Sequence, residues 1–194
     1  MNKIFTSGVD LGGLRKREEI KVLICYILLN KNMVISKDEI IKSLVENNIA
    51  NYFEVASAFS ELLSSEKIKE NKKNKDKFLL TKDGELIAKE LETILPVTVK
   101  EKAVSTAISL MIKAKIENEN KIKISKNSDY GYEVVLEISG GNFNLMTIRI
   151  YVPDLFQANF IKNNFYKSPE IFYQCFLAVS TRNKNILKEM LEKL

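Results

Sequence analysis

The chain has 194 residues, of which 45% are hydrophobic and 28% charged, with a net charge of +5; this is the composition of a folded protein with room for one large or two small domains. It has no histidine, which excludes the histidine-based triads and the usual zinc sites. Since no phosphate loop, nucleophile elbow or clustered carboxylate pair is present either, no enzymatic activity, cofactor or metal is expected.

The two cysteines, Cys25 and Cys175, lie far apart on apolar helical stretches. This spacing predicts buried thiols in a reducing compartment and no metal or redox site. The sequence has no recognisable signal peptide, and its apolar runs are too short and too amphipathic to cross a bilayer. A cytoplasmic protein is therefore expected.

A predicted N-terminal arm, residues 1–14, is followed by a predicted helix over residues 15–30. The apolar residues of this helix recur at helical spacing and indicate one buried side. They are Ile20, Leu23, Ile24, Ile27 and Leu28. Three basic residues at its start, Arg15, Lys16 and Arg17, fan out around the helix and are expected to be surface charge. Residues 33–35 form a predicted short strand.

Two more helices are predicted between residues 36 and 64. Ser36 and Glu39 have the spacing of a capping box, and Asn51 followed by Glu54 repeats the start signal for the second of these helices. The side of that helix expected to face the core consists of Tyr52, Val55, Ala56, Phe59, Leu62 and Leu63. The outward side then consists of Asn51, Glu54, Ser57, Ser60, Glu61 and Ser64.

A lysine-rich hairpin is predicted next, with a polar run at 70–77 between two short strands. Its basic residues are Lys67, Lys69, Lys72, Lys73, Lys75 and Lys77. Thr81 then caps a further helix that returns to the core. The order helix, helix, basic hairpin and helix is typical of a winged helix-turn-helix, which we predict over residues 15–95.

Two stretches of the chain resemble known families. The pattern Leu80-Thr81-Lys82-Asp83-Gly84, at the end of the hairpin, resembles the joint between wing and helix in MarR- and PadR-type bacterial regulators. The opening of the chain is similar to that of an uncharacterised bacterial family of about this length, a domain of unknown function with an N-terminal winged helix. The residues concerned are Phe5-Thr6-Ser7-Gly8-Val9-Asp10, Gly12-Gly13-Leu14-Arg15 and Glu18-Glu19-Ile20-Lys21-Val22-Leu23. This second resemblance extends over most of the chain and implies the architecture, but no ligand or activity.

These features predict a transcription regulator that binds duplex DNA. Lysines on a protruding hairpin can neutralise phosphates, and Asn51 and Ser57 on the outward side of the 51–64 helix can read base edges. The lysine run is also typical of a merely solvated turn. Because this helix offers glutamates and no arginine or lysine, a second interpretation stays open: an adaptor that keeps the winged helix, does not bind DNA, and binds a protein through Glu54 and Glu61.

A domain boundary is predicted at Leu95–Pro96, because proline disfavours helical angles in the residue before it. The remainder, residues 96–194, is expected to form an α+β dimerisation or sensor domain with one small antiparallel sheet and packed helices. Gly140-Gly141-Asn142 predicts a tight turn between two of its strands. The predicted elements are a helix at 98–115, strands at 121–125, 132–139 and 143–152, and helices after Asp154, after Ser168 and at the end of the chain.

Seven aromatic residues cluster in this second domain: Phe156, Phe160, Phe165, Tyr166, Phe172, Tyr173 and Phe176. Such a cluster is typical of a core; a dimer interface and a small-ligand pocket are the alternatives. Since DNA-binding winged helices commonly act as two-fold dimers, we expect duplex DNA and a second copy of the chain as partners. A small-molecule or protein effector of unknown class is also expected to act on this domain.

Overall fold

The computed structural model describes residues 8–30, 33–127, 129 and 131–192. Within these residues the chain forms eight α-helices and two three-stranded antiparallel sheets, so the predicted α+β class is confirmed. Two compact units are present, residues 1–111 and 112–194. None of the described helices is both long enough and apolar enough to span a lipid bilayer. Half of the predicted N-terminal arm, residues 1–7, lies outside the described residues.

The first unit contains helices around a small sheet of strand order β1-β3-β2. Its elements are α1 (Arg17–Leu29), β1 (Ile35–Ser36), α2 (Lys37–Val45), α3 (Tyr52–Ser64), β2 (Ile68–Asn71), β3 (Asn74–Leu80) and α4 (Lys82–Leu91), followed by a 3-10 helix (Glu92–Ile94). Ile35 of β1 lies opposite Phe78 of β3, so the predicted short strand is present and pairs with the hairpin. It begins at residue 35, two residues later than predicted.

Local capping sets where the helices of this unit begin. The Ser36 hydroxyl accepts the amide of Glu39 at 3.2 Å, while the Glu39 carboxylate accepts the amide of Ser36 at 2.7 Å, which completes the predicted capping box. Asn51 Oδ1 accepts the amide of Phe53 at 2.9 Å, and Thr81 Oγ1 accepts the amide of Gly84 at 3.3 Å. Each cap satisfies a donor that the first helical turn leaves without a backbone partner.

The core of the first unit forms around α1, which packs against α3 and α4. The predicted apolar stripe of this helix is buried, with every member at most 1% exposed. On the hairpin side, the ring of Phe59 in α3 meets the ring of Phe78 in β3 edge to face, with centroids 4.8 Å apart. This contact fixes α3 against the hairpin sheet by close packing of two aromatic rings.

Helix α5 (Val97–Glu119) crosses the division between the two units. Val99, Ala103 and Ala107 on its first half are buried in the core of the first unit. The predicted boundary at Leu95–Pro96 lies at the beginning of this helix, whereas the compact units divide within it, after Met111. The first half of the helix predicted to open the second domain thus completes the core of the first unit.

The second unit has a sheet of order β4-β5-β6 with antiparallel pairing throughout. Its elements are β4 (Lys121–Asn127), β5 (Gly131–Ser139), β6 (Asn144–Val152), α6 (Leu155–Phe165), α7 (Pro169–Ser180) and α8 (Lys184–Leu191). The amide of Gly140 donates to the carbonyl of Phe143 at 2.8 Å, and Gly141 has φ +91°. The predicted three strands and the glycine turn are therefore confirmed.

The aromatic cluster of the second unit divides between core and surface. Phe165 is fully buried, its ring centroid lies 5.4 Å from that of Phe172, and Tyr166 and Tyr173 are half-buried beside them. The other three members are exposed: Phe156 at 78%, Phe160 at 61% and Phe176 at 57%. For these three the prediction of a core is wrong. On α6, Ala158, Ile161 and Phe165 share the side packed in the core, so Phe156 and Phe160 lie on the opposite side of the helix.

Candidate nucleic-acid interface

The inner side of α3 contains both apolar and charged residues. Val55, Ala58, Phe59 and Leu62 are buried in the core. Glu54, which the sequence placed on the outward side, is only 6% exposed, so that prediction is wrong. Its carboxylate accepts hydrogen bonds from the guanidinium of Arg17 in α1 at 2.9 Å. A carboxylate can be buried where a cation and a hydrogen bond compensate its lost hydration.

A second glutamate of α3 completes an ion-pair network with α1. Glu61 contacts Arg17 at 3.0 Å and Lys21 at 2.6 Å. Hydrogen bonds from Lys21 and Arg17 lower the pKa of Glu61, and those to Glu54 and Glu61 raise the pKa of Arg17. Arg17, predicted to be simple surface charge, therefore joins α1 to α3. Both glutamates of α3 are neutralised by cations of α1.

The outward side of α3 is uncharged. Phe53 is 63% exposed and Tyr52, predicted to face the core, is 52% exposed; their rings meet edge to face at 5.5 Å. Ser60 and Ser64 are exposed and Ser57 is half-buried. The prediction for Tyr52 is wrong because, although it shares the helical side of Val55 and Phe59, it is the first residue of α3 and lies beyond the buried part of the helix.

The predicted base-reading residue Asn51 uses its side-chain oxygen as the N-cap of α3. The hydroxyls of Ser60 and Ser64 donate to the carbonyls of Ala56 and Glu61, at 2.9 and 3.1 Å. A hydroxyl oxygen that donates its proton in this way still has lone pairs that can accept from an incoming group. Among the residues of the outward side, the serines thus offer acceptors, and Phe53 offers apolar surface.

The hairpin of β2 and β3 has a turn at Lys72-Lys73 that is formed by asparagine side chains. Asn71 Oδ1 accepts the amide of Lys73 at 2.8 Å, and Asn74 Oδ1 accepts the amide of Asp76 at 3.1 Å. Asparagine forms such turns because its short side chain reaches the backbone two residues later. The pairing register shifts between Glu70 and Asn71, next to the turn that bears the lysines.

The six predicted lysines fall into two groups. Lys67 pairs with Asp83 at 3.0 Å and Lys77 pairs with Glu39 at 3.0 Å, so these two connect the hairpin to α4 and α2. The other four are exposed, and among the described residues none of them has a carboxylate oxygen within 4.0 Å. These four, Lys69, Lys72, Lys73 and Lys75, are here called the hairpin lysines. Lys72 and Lys73 lie in the turn, and the four lysines outnumber the two exposed carboxylates of the hairpin, Glu70 and Asp76, so the hairpin has an excess of positive charge.

The base of the hairpin is fixed to the start of α4. Thr81 Oγ1 donates within 2.9 Å of the carbonyls of Glu66 and Lys67, and its amide donates to the carbonyl of Lys67 at 3.1 Å. Gly84 approaches that carbonyl so closely that any side chain at this position would collide with it and with Leu80. The leucine-threonine-x-x-glycine pattern thus has a steric reason, because the chain can make this approach only at glycine.

Comparison with family models identifies the domain to which these elements belong. A domain of unknown function, DUF4364, matches residues 20–179. The chain belongs to this family. No curated protein and no solved structure matches the chain. The DUF4364 match extends from α1 into α7, so α3, the hairpin and the sheet of the second unit all lie within the family domain.

The acidic residues and the two cysteines of this DUF4364 chain are the remaining reactive or metal-binding side chains of its described part. There, no group of three or more cysteine, aspartate or glutamate residues could hold a metal ion. Burial raises the pKa of the Cys25 thiol to about 12, so this cysteine remains a neutral thiol near neutral pH and is a poor nucleophile. Cys175, predicted to be buried, is half-buried.

The burial of Glu54 and the exposure of Phe53 do not follow from the pattern of polar and apolar residues along α3. The charge of Glu54 predicts an outward position. However, Val55 next to it and Ala58 four residues later are both buried. Phe53 carries no hydrogen-bonding group, so a search for base-reading side chains in the sequence does not indicate it. A signal was present in the sequence: the acidic residues of α3 are matched by Arg17 and Lys21 on the preceding amphipathic helix.

Proposed function

We propose that this protein is a cytoplasmic transcription regulator that binds duplex DNA through α3 and the hairpin lysines. The observation that carries the proposal is the contrast within the hairpin. Lys67 and Lys77 are held in ion pairs, whereas Lys69, Lys72, Lys73 and Lys75 are exposed and unpaired among the described residues. Exposed cations on a hairpin, with no carboxylate within ion-pair distance, suit a polyanion, because each phosphate that they neutralise releases condensed counterions.

The first unit has the element order of a winged helix-turn-helix, and we propose that it is one, distantly related to MarR- and PadR-type regulators. In this assignment α2 and α3 are the helix-turn-helix, β2 and β3 are the wing, and β1 is the small strand paired with β3. The tight joint at Thr81 and Gly84 fixes the base of the wing at the start of α4, and the rings of Phe59 and Phe78 hold α3 against β3. Such rigidity favours DNA docking, since two contacts at fixed spacing select one orientation on the duplex.

The ion pairs of α3 remove the main objection to its role as a reading helix. Acidic residues on a helix that enters the major groove would repel phosphates, but Glu54 and Glu61 are paired with Arg17 and Lys21. The outward side then offers serine hydroxyls and the ring of Phe53. Serine can accept or donate to base edges, and phenylalanine can contact the methyl group of thymine. In this role Ser57 and Phe53 replace Asn51, whose oxygen caps the helix.

The test is a triple substitution of Lys72, Lys73 and Lys75 by glutamine, with Lys113, Lys184 and Lys188 changed to glutamine as the matched control. All six are exposed, so each variant loses three positive charges without loss of packing. Binding to a random duplex is measured by fluorescence anisotropy over a range of salt concentrations. For the hairpin variant we expect the slope of log K against log salt to become shallower by about three, roughly one for each lysine.

The control variant should retain most of the slope, because its lysines belong to α5 and α8 and not to the hairpin or α3, which the proposal assigns to DNA. Equal losses in both variants would indicate nonspecific attraction by net charge and would remove the hairpin from the mechanism. Unchanged binding by the hairpin variant, with the wild type bound, would place the phosphate contacts elsewhere.

A protein-binding adaptor is the second candidate, and one observation favours it. The exposed rings of Tyr52 and Phe53 are the kind of aromatic surface that interfaces enrich. The acidic side on which this candidate first rested is occupied by Arg17 and Lys21, so the rings become its main support. It predicts no binding to duplex DNA even at low salt, together with a protein partner that binds wild type but not Phe53→Asp.

A further inference from the structure

The two sheets of the molecule have four edge strands, which differ in length and in charge. β1 has two residues and β2 has four, so these edges offer little backbone for pairing. β4 has seven residues, and three of them are lysines: Lys121, Lys123 and Lys126. β6 has nine residues, of which only Arg149 is charged. Proteins commonly use short strands and lysines to prevent an edge from pairing with another chain. Among the edge strands of the described chain, β6 alone lacks both.

The free side of β6 presents backbone donors and acceptors to a further strand. In the sheet order β4-β5-β6, β6 pairs with β5 on one side, and no described strand lies on the other. The pairing with β5 shifts register only at the beginning of β6, so residues 146–152 are regular. Every second residue of an edge strand points its amide and carbonyl away from the sheet. The backbone of β6 is therefore arranged to pair with one more strand.

The apolar side chains of β6 that face the core are less well covered than those of β5. The β5 residues are at most 3% exposed: Val134, Leu136 and Ile138. Their neighbours on β6 pack against the same core but are only half-buried: Met146, Ile148 and Ile150. A strand along the free side of β6 would cover these side chains further. The inner side of such a strand must itself be apolar.

We propose that β6 pairs with β6 of a second copy of this chain, antiparallel and about a two-fold axis at Ile148, so that the two sheets become one continuous sheet. Residues directly opposite each other in an antiparallel pair lie on the same side of the sheet. Ile148 is the middle residue of β6 (Asn144–Val152), so this register pairs the strand over its full length. Met146 then lies opposite Ile150 of the second copy, apolar against apolar, as the inner side requires.

The outer side of β6 is compatible with the same register. Thr147 lies opposite Arg149 of the second copy, so the charged residue faces an uncharged one. Arg149 is also paired with Glu133 of β5 at 3.3 Å, which neutralises it within its own copy. A register centred on Arg149 would instead place two guanidinium groups opposite each other, and like charges in that position are destabilising.

The other edge of the sheet, β4, does not match itself in this way. Its sequence is Lys-Ile-Lys-Ile-Ser-Lys-Asn, and every antiparallel self-pairing centred on residues 122–125 places a lysine opposite a lysine or an isoleucine. In a two-fold pair one sequence must satisfy each contact twice, once from each copy. β6 meets this condition and β4 does not. The self-complementarity of β6 therefore indicates a second copy as the strand that covers it.

The experiment is sedimentation equilibrium of the purified full chain, without DNA, for the wild type, Thr147→Lys, Thr147→Glu and Ser125→Lys. Thr147 is exposed and lies opposite Glu137 of β5, so a lysine there is tolerated within one copy but faces Arg149 of the other copy. Ser125→Lys is the matched control, because Ser125 lies on the other edge strand, opposite Glu133 of β5.

We expect a wild-type dimer with a dissociation constant that Thr147→Lys raises about tenfold and Thr147→Glu lowers by a similar factor, since each dimer contains two such cross-strand contacts. The control should show no comparable change. Adding Arg149→Thr to Thr147→Lys should restore the wild-type constant, because the repelling side chain is gone. Circular dichroism and urea unfolding establish that the variants are folded.

Three outcomes would overturn the inference. The first is a wild-type chain that is monomeric at high concentration, which would leave the β6 edge to a strand of another protein. The second is a shift of the dissociation constant in the same direction by lysine and glutamate at Thr147, and the third is a control that dissociates as strongly as Thr147→Lys. If Thr147→Lys does not fold, Thr147→Glu alone decides, by whether it tightens the dimer. None of these readouts involves DNA, so this inference and the proposed function fail independently.

Discussion

The exposed phenylalanines of α3 and of α6 lie in opposite electrostatic surroundings. Phe53 on α3 is 63% exposed beside the network of Arg17, Lys21, Glu54 and Glu61 and precedes the lysine hairpin. Phe156 on α6 is 78% exposed on helices with almost no charge. Exposure of a ring therefore does not by itself assign a partner. Near excess cations it suits a polyanion with apolar groups, whereas the partner proposed for the second unit is assigned by the β6 edge and not by these rings.

The two regions also differ in how charge is used within each unit. On α3, Glu54 is buried and Glu61 is partly exposed, and both carboxylates are paired with cations of α1, so that the excess charge lies on the hairpin and is positive. On the outer side of the second unit's sheet, Glu133 pairs with Arg149 at 3.3 Å and accepts the hydroxyl of Tyr151 at 3.0 Å, so the one charged side chain of β6 is paired within its own sheet. Charge distribution, more than hydrophobicity, distinguishes the two proposed surfaces.

The largest expected effect separates the inner side of α3 from its outer side, and it is tested by replacing one aromatic residue on each side with alanine. Phe59→Ala should lower the free energy of unfolding by about 3–5 kcal/mol, because it removes a fully buried ring and leaves a cavity beside Phe78. Phe53→Ala, on the outward side, should change it by no more than about 0.5 kcal/mol. Urea unfolding of both variants measures the difference. Similar losses for the two would show that Phe53 is part of the core.

The inward pairing of the α3 carboxylates is tested by a double-mutant cycle with Arg17→Met and Glu54→Gln. Because the pair is hydrogen-bonded at 2.9 Å and Glu54 is buried, we expect a coupling free energy of about 1–3 kcal/mol. The control cycle uses Lys16 and Glu19, an exposed pair at 3.6 Å, for which about 0–0.5 kcal/mol is expected. Equal coupling in both cycles would mean that Arg17 does not hold α3.

Lys77 pairs with Glu39 and so connects β3 to α2, a role distinct from contact with phosphate. This pairing makes the stability of the first unit depend on pH through the Glu39 carboxyl group. Burial alone would raise the pKa of Glu39, but hydrogen bonds from Ser36 and Lys77 outweigh it and lower that pKa below the ordinary value of 4.5. A carboxyl group with a lowered folded-state pKa stabilises the protein above its unfolded-state pKa, and this contribution is lost as the pH falls through the folded-state value.

The stability difference between wild type and Glu39→Gln should therefore be greatest near neutral pH, on the order of 1 kcal/mol for a capping interaction, and should shrink below pH 4.5. Urea unfolding at a series of pH values measures it. Lys77→Gln should show a smaller loss, because Ser36 still donates to the carboxylate. A difference that grows on acidification would have the wrong sign for this account.

The smallest expected effect concerns Phe53 and thymine. If this ring contacts a thymine methyl group, binding to an alternating dA·dT duplex should weaken by about fourfold when uracil replaces thymine, since burial of one methyl contributes roughly 0.8 kcal/mol. Phe53→Ser should bind the two duplexes equally. Anisotropy titrations at one salt concentration measure the ratio. A methyl preference that persists in the serine variant would assign the contact to another residue.

Local signals in the sequence predicted where most elements begin. The predicted caps at Ser36, Asn51 and Thr81 all accept amides of the first helical turn. These interactions span two or three residues, so the sequence alone specifies them. The glycine turn after β5 and the stripe of α1 were predictable for the same reason, because the residues that decide them are close together in the chain.

Long-range partners could not be predicted in this way. Glu54 is buried because Arg17, 37 residues earlier, is brought beside it by packing of α1 against α3. The distinction among the six lysines depends likewise on Glu39 and Asp83, which meet Lys77 and Lys67 only in the folded unit. In the second unit, hydrophobicity indicated a core for Phe156 and Phe160 although Ala158, Ile161 and Phe165 already filled the inner side of α6.

The measurement that tests the central claim most directly is binding of the wild-type chain to a random duplex as a function of salt. With four hairpin lysines available, the account predicts measurable affinity at low salt and a linear fall of log K with log salt, with a slope of roughly −3 to −4 for each bound chain. Absence of binding at low salt would contradict the account, and so would an affinity that does not change with salt.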